Sequence, residues 1–412
     1  MKVLIIGSSK FPVPAVEGGA VPNLIEELIQ QQEVEHKIEL ECCSLWNSMA
    51  EEEAKKYKNT KFIWAKKPLY IDKLDHMLTW ILKNIFRIKR LHSVGFLFQV
   101  VWLAFFIAKV LKNNNYDRVI FENSVPVLFS LKLYGNKKKY SDKYYIHMHS
   151  VPRKYYGNEK EFSNCKGLIA ISDYVAREIC KDSRIKISEK QVRIMYNCID
   201  TSMICPKTEE DRIKFLNKYH IRQDKKILLF AGRLCKDKGI EAVIECAKKL
   251  DGLNCVLVIV GANFYSSGII SPYEEYLKKL SAEIKGNIIF TGYVDYCNMA
   301  YIYNMADVVI LPSMWEEPAG MTIIEAMACC KPVITTISGG IPEYTGKGNC
   351  ILLNKDEKII ENMVTNVKKI LEDSEYASIL SKRGCARARK YNKEFYYRQF
   401  LEILNEDYYE KI

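Results

Sequence analysis

The 412 residues contain no Asp-x-Asp and no Cys-x-x-Cys. No Gly-x-Gly-x-x-Gly follows the first apolar run, where Gly7-Ser-Ser-Lys offers a single glycine. No Gly-x4-Gly-Lys-[Ser/Thr] occurs either, since Gly346-Lys347 lacks both the earlier glycine and the hydroxyl. These absences remove, in order, the commonest metal–nucleotide signature, zinc and thioredoxin-like sites, the nicotinamide-dinucleotide fingerprint and the P-loop. Long apolar runs are also missing: Val94–Leu111 is broken by Gln99 and Lys109, which makes a spanning helix a poor reading. Met1-Lys-Val-Leu-Ile-Ile-Gly7 runs straight into a strand-like stretch, so no signal peptide is expected. The 14 cysteines then read as reduced, mostly buried small hydrophobes of a cytosolic protein.

What is present is a soluble globular composition, 48% hydrophobic and 27% charged. The net charge of +11 points to an anionic partner: phosphate, nucleic acid or an acidic membrane face. No recognised nucleic-acid motif accompanies it, and no nucleic-acid partner is expected. The length favours two domains.

Strand-like and helix-like segments alternate almost throughout. The second half shows apolar runs at Ile227–Phe230, Val256–Val260, Ile288–Phe290, Val308–Leu311, Val333–Ile337 and Ile351–Leu353. Helical patterns at Gly239–Leu250, Tyr273–Ile284 and Met321–Cys329 lie between them. The first half repeats the layout with Val3–Ile6, Val119–Phe121, Tyr144–His149, Leu168–Ile171 and Val192–Tyr196. Runs apolar on both faces and separated by helices predict parallel sheets covered on both sides. Two Rossmann-like, doubly wound α/β domains in tandem follow, joined in the polar stretch Asp200–Asp224 with the boundary at 203/204. Ligands in such sheets sit at the carboxyl ends of the strands, here expected in the cleft between domains.

Lys73–Leu91 has an amphipathic pattern, with Leu74, Met77, Leu78, Ile81, Ile85 and Ile88 on one face and Lys83, Arg87 and Arg90 on the other. Two readings stay open for it and for the apolar stretch that follows. One is a buried domain helix beside a solvated basic one; the other is a patch resting on anionic lipid.

Trp315-Glu-Glu-Pro-Ala-Gly-Met-Thr-Ile-Ile-Glu-Ala-Met-Ala328 places Glu317 just ahead of a helix start and Glu325 inside the helix. A glycine before a helix leaves free N–H groups that favour an anion, so Pro318–Thr322 suits phosphate or a hydroxyl-rich ring. A carboxylate within the helix accepts two hydrogen bonds and suits a diol such as ribose. Alone, two glutamates at this spacing are usually two solvated residues. Arg233 and Lys238 supply the context, because both project from a strand-to-helix loop where a diphosphate would lie. Gly261 and Gly292 end two more strands at the same sheet edge, where a base could meet backbone.

Taken together, Arg233…Lys238-Gly239, Gly292-Tyr-Val294, Pro312-Ser313, Glu317-Pro-Ala-Gly-Met-Thr-Ile-Ile-Glu325 and Gly339-Gly340…Glu343 resemble the retaining group 1 glycosyltransferases of family 4, which have the GT-B fold. Gly18-Gly19, His149, Ile171-Ser172 and Asn197-Cys-Ile-Asp200-x5-Pro206 extend the resemblance through the first half, more weakly. The resemblance implies an acceptor-binding domain at 1–203, a nucleotide-sugar-binding domain at 204–390, and a helix at 391–412 that crosses back to the first. It implies that Glu325 binds the nucleotide ribose and that Glu317 contacts the donor sugar. Ala319, Gly320, Met321 and Thr322 would hold sugar hydroxyls and phosphate through their backbone. Arg233 and Lys238 would stabilise the departing diphosphate, and Tyr293 and Val294 would read the base. Gly18 and Gly19 would form a flexible loop near both substrates, and His149 would stand near the reaction centre, with His147 as the competing choice. The family pattern has Phe where Ala319 stands and Gly where Cys198 and Cys330 stand.

The implied reaction moves a sugar from a nucleoside diphosphate sugar, with UDP as the expected nucleotide, to a hydroxyl of a cell-surface glycan or lipid-linked acceptor. The anomeric configuration is kept and no metal cofactor is needed. The expected place is the cytoplasm, peripheral at the inner face of the membrane. A same-fold sugar-nucleotide epimerase and a non-enzymatic coat or scaffold protein are the rival readings.

Overall fold

The computed structural model describes residues 1–86, 96–250, 252–262, 271–282 and 287–405. It divides into two compact units, Met1–Tyr196 with Lys393–Ile412, and Asn197–Asn392. The first division thus lies ahead of residue 203, and the return to unit 1 comes at residue 393.

Unit 1 holds seven strands: β1 (Lys2–Ile6), β2 (Glu39–Leu45), β3 (Thr60–Ala65), β4 (Arg118–Glu122), β5 (Tyr144–Met148), β6 (Gly167–Ala170) and β7 (Val192–Ile194). They form one sheet in the order β3-β2-β1-β4-β5-β6-β7, and every pairing is parallel. The chain reverses its winding between β1 and β4, which opens a crevice at their carboxyl ends. The helix Lys393–Leu404 belongs to this unit: Gln399 accepts from the Tyr196 N–H at 3.0 Å, Arg118 Nε donates to the Leu404 carbonyl at 3.2 Å, and Tyr397 bonds Gln32.

Unit 2 holds β8 (Lys226–Ala231), β9 (Cys255–Val260), β10 (Ile288–Gly292), β11 (Val308–Leu311), β12 (Val333–Thr336) and β13 (Ile351–Leu353). Their order is β10-β9-β8-β11-β12-β13, again all parallel. Here the reversal lies between β8 and β11. All six residues of β9, Cys-Val-Leu-Val-Ile-Val, are buried, as a central strand covered on both faces requires.

β2 and β3 are absent from the sequence reading. β2 carries Glu39 and Glu41 and β3 carries Lys61, which break the apolar run. Glu41 is nevertheless buried, because Lys2 and Lys61 pair with it and the Tyr116 hydroxyl donates to it at 2.7 Å.

The segment expected at Lys73–Leu91 forms a helix over Leu69–Asn84. Its buried residues are Ile71 and Asp75, while Met77 and Ile85 of the expected apolar face are more than half exposed, at 53% and 62%. The following helix, Leu97–Asn113, buries Leu103, Ala104, Ile107, Ala108 and Leu111 as a domain helix should. Gln99 is buried with them, paired with Lys67 and donating to the Ser9 carbonyl at 2.9 Å. Among the described residues no helix is long and apolar enough to cross a membrane. The expected helical residues at 87–91, 94–95, 283–284 and 406–412 lie outside the described residues.

The cysteines correct one expectation. Twelve are free, but Cys330 and Cys385 are joined in a disulfide. Cys330 ends the helix Met321–Ala328 and Cys385 lies on Ser374–Ala388, which packs against it, with Cα atoms 4.7 Å apart. Cys330 takes φ 54°, the left-handed cap where glycine is usual. The Lys331 and Cys330 N–H groups cap that helix by donating to Ala326 and Met327 carbonyls.

Candidate active site

The loops after β8 and β11 are joined at the switch point of unit 2. The Met314 N–H donates to the Asp237 carbonyl at 2.8 Å. Gly239 lies so close to the second loop that a Cβ there would stand 2.1 Å from the Pro312 carbonyl oxygen. This contact fixes where the preceding Lys238 starts.

Lys238 Nζ forms an ion pair with Glu317 Oε1. The Ser313 hydroxyl donates to the same oxygen at 3.0 Å, and Lys238 lies 6.0 Å from the centre of the Trp315 ring. Glu317 is only 7% exposed. Its backbone is held too, since the Gly340 N–H donates to its carbonyl at 2.7 Å. Gly339 has φ 53°, and a Cβ on it would meet the Glu317 carbonyl oxygen at 2.1 Å. Glu316 turns to other partners: it accepts from the Gly339 N–H at 2.6 Å and pairs with Lys355, and that pairing holds its carboxyl below the usual range. Lys355, which the sequence reading missed, thus clamps the loop beside Glu317 from the far side. Arg233 is exposed and has no ion-pair partner among the described residues.

The helix Met321–Ala328 starts behind Gly320, at φ 82°, so its first N–H groups have no intrahelical acceptor. Ala319 is buried, whereas Gly320, Met321 and Thr322 are partly exposed. Glu325 lies inside this helix, 7% exposed, and accepts from the Tyr303 hydroxyl at 2.7 Å. Burial pushes its carboxyl up to about 7 against the opposing bonds from Tyr303 and Tyr296. Tyr303 itself is pushed well above its usual range by burial and by the carboxylate beside it. Sequence reasoning missed both tyrosines, because nothing in Tyr296-Cys-Asn-Met-Ala-Tyr-Ile-Tyr303 marks them apart from helix-packing aromatics. Tyr293 and Val294 follow β10 in an accessible loop tied to the next strand end, where the Gly261 N–H donates to the Gly292 carbonyl at 2.9 Å.

Gly18, Gly19 and His149 belong to unit 1. Gly18 and Gly19 take φ 73° and 104° ahead of the helix Ala20–Glu35. His149 follows β5, and its Nε2 lies 3.1 Å from Glu122 Oε2 at the end of β4. His147 Nδ1 lies 3.1 Å from Glu122 Oε1. The His147 side chain is 1% exposed and that of His149 is 8%, so His149 is the more accessible of the two. Burial opposes ionisation of Glu122, yet the two imidazoles hold its carboxyl down at about 2. Burial and then His147 lower the His149 imidazole below its ordinary value.

A cavity of about 890 Å³ opens beside these residues within unit 1. Phe96, Leu97, Val101, Phe105 and Phe129 give it an apolar wall, and Lys10, Arg153 and Lys154 also line it. None of those three cations has an ion-pair partner among the described residues.

Two parallel doubly wound sheets, each reversing its strand order partway across, agree with the GT-B fold expected from the sequence. Residues 211–387 match the family model for glycosyl transferases group 1. A lipopolysaccharide 1,2-N-acetylglucosaminetransferase of Salmonella typhimurium is 28% identical over 289 residues, 68% of this chain and 72% of the relative. A glycosyltransferase structure from Rickettsia africae superposes with TM-score 0.75 at 19% identity, covering 98% of this chain and 97% of that one. The Anabaena protein HepE in complex with UDP-glucose superposes with TM-score 0.69 at 15% identity, covering 98% and 100%. Three other curated relatives are matched over only 58%, 45% and 58% of their own length.

Proposed function

We propose that this protein transfers a sugar from a nucleoside diphosphate sugar to a hydroxyl of a glycan or lipid-linked acceptor, with retention at the anomeric carbon. The observation that carries the reading is the Lys238–Glu317 pair at the switch point, inside the segment that matches the family. Lys238 is held by a carboxylate. A diphosphate offers it a stronger, doubly charged partner, and Glu317 is then released to accept sugar hydroxyls. Arg233 and the helix start at Gly320 add a cation and unpaired amides where negative charge grows on the leaving group. Glu325, held in place by Tyr303 and Tyr296, presents its carboxylate to the ribose diol. The UDP-glucose held by the Anabaena protein supports UDP as the nucleotide. Lys238 and Arg233 stand in for the charge that a metal would bring, so we assign no metal to the donor site.

On the acceptor side, the cavity of unit 1 suits a molecule with an apolar part and a negative group. Leu69, Tyr70, Trp80 and Phe86 are exposed near Lys73 and Lys83. This supports peripheral contact with an anionic lipid surface.

The first test is thermal stabilisation by UDP and by a panel of nucleotide sugars. UDP should raise the melting temperature, and Arg233→Ala and Glu325→Ala should each remove the shift. Incubating donor without acceptor separates transfer from epimerisation, because only an epimerase would change the sugar. No stabilisation by any nucleotide would favour a scaffold.

A further inference from the structure

Glu122 and His147 face each other in the parallel register of β4 and β5. His149 follows His147 by two residues, which returns its side chain to the same side of the strand. One carboxylate therefore meets two imidazoles, at 3.1 Å each, with ring centres 4.3 Å apart. Asn123 ties the two strand ends together: its N–H donates to the His147 carbonyl at 2.8 Å, and its Oδ1 accepts from the His149 N–H at 3.2 Å. Glu122 is 1% exposed and has no lysine or arginine paired with it among the described residues. Its charge is met by the two imidazoles instead, so His147 Nδ1 and His149 Nε2 both carry hydrogen toward it.

We infer that Glu122 is a positioning residue: it fixes His149 as the Nε2–H tautomer and leaves Nδ1 as a lone pair that orients the acceptor hydroxyl. This rests on the assignment of His149 to the acceptor side. That assignment comes from the proposed function: Met148, Ser150 and Asn123 line the cavity, while the His149 ring turns to Glu122 beside it. A neutral imidazole accepts a hydroxyl hydrogen, whereas an imidazolium would not. Burial of the ring favours the neutral form. His147 serves as the second donor that keeps the carboxylate from turning away.

The same three groups could also offer ligand atoms to a divalent cation, since all lie within 4.8 Å of one another. The test separates the two. Nitrogen-15 histidine NMR of the full chain should show His149 as the Nε2–H tautomer, staying neutral as pH falls below its ordinary titration range. A wild-type His149 found as the Nδ1–H tautomer overturns the inference without any variant. Tight binding of one equivalent of Zn²⁺ that removes both N–H signals also overturns it.

Glu122→Gln keeps the side-chain volume but offers one donor in place of one acceptor. It should shift His149 toward the Nδ1–H tautomer and lower kcat at saturating donor by tenfold or more. UDP affinity, a property of unit 2, should stay unchanged, and native-like dispersion of the unit 1 histidine signals reports that the variant folds. An unchanged His149 tautomer in this variant refutes the positioning role. A changed tautomer with unchanged turnover refutes the acceptor contact and the assignment of His149, while leaving the donor reading intact.

Discussion

The Tyr303 hydroxyl donates to Glu325 Oε2 at 2.7 Å, and both groups are buried. Removing this donor takes away one of the bonds that favour ionised Glu325, so its carboxyl rises further above 7. Tyr303→Phe should therefore weaken UDP binding about tenfold at pH 7 and recover part of the loss at pH 8.5. Calorimetric titration of variant and wild type at each pH checks this, because the nucleotide's own titration cancels in the ratio.

The raised Glu325 carboxyl also sets a pH dependence of stability. Between pH 4.5 and about 7 the native site holds a proton that the unfolded chain has released, so stability falls as pH rises through that window. Above it, the buried carboxylate costs on the order of 3 kcal/mol. Glu325→Gln should thus melt at a higher temperature than wild type at pH 8 and at nearly the same temperature at pH 4.5, while losing nucleotide binding at both. Paired melting curves test the sign.

Lys238 and Glu317 should separate in their effects. Lys238→Ala leaves a carboxylate 7% exposed without its cation and removes a phosphate ligand, so UDP affinity should drop tenfold or more. Glu317→Ala frees Lys238 from its competitor. Affinity for UDP should then hold or tighten, while turnover of the nucleotide sugar falls about a hundredfold. A loss of UDP affinity in Glu317→Ala would contradict the exchange of partners proposed here.

Gly339→Ala places a Cβ 2.1 Å from the Glu317 carbonyl oxygen at a φ of 53°. The substitution should destabilise unit 2 by roughly 2–4 kcal/mol and displace Glu317. Denaturant unfolding measures the first effect and donor turnover the second.

In the cavity, Lys154→Glu reverses one of three lining cations, and Phe129→Asp places a charge in the apolar wall. Each should raise the acceptor KM severalfold for a phosphate-bearing lipid acceptor and leave the UDP affinity unchanged. Transfer should also persist in EDTA, since Arg233 and Lys238 carry the charge of the leaving group.

The parts of this fold that could be read from sequence were those in which one force acts alone. β8, β9 and β11 announce themselves because burial on both faces demands unbroken apolar runs. β2 and β3 do not, because Glu41 is buried by partners far along the chain and Tyr116 cannot be foreseen from it. The loop residues Arg233, Lys238, Glu317 and Glu325 were legible as a spaced set. Their supports Lys355 and Tyr303 were not, nor was Glu122 beside His149, since a hydrogen bond between distant elements leaves no local pattern. The ion pair between Lys238 and Glu317 was equally hidden: each residue had been assigned its own part of the donor, and only folding brings them into contact. The disulfide of Cys330 and Cys385 depends on two helices packing and has no signature in spacing.

Unit 1 closes on a helix drawn from residues 393–404, after all of unit 2 has been written. During synthesis the ribosome therefore delivers residues 197–392 as one continuous stretch that can fold as soon as it emerges, while the earlier unit waits for its last piece. Truncation near residue 392 would strike the half of the protein furthest away in sequence, exposing the surface of Ala20–Glu35 and leaving the donor half able to bind nucleotide.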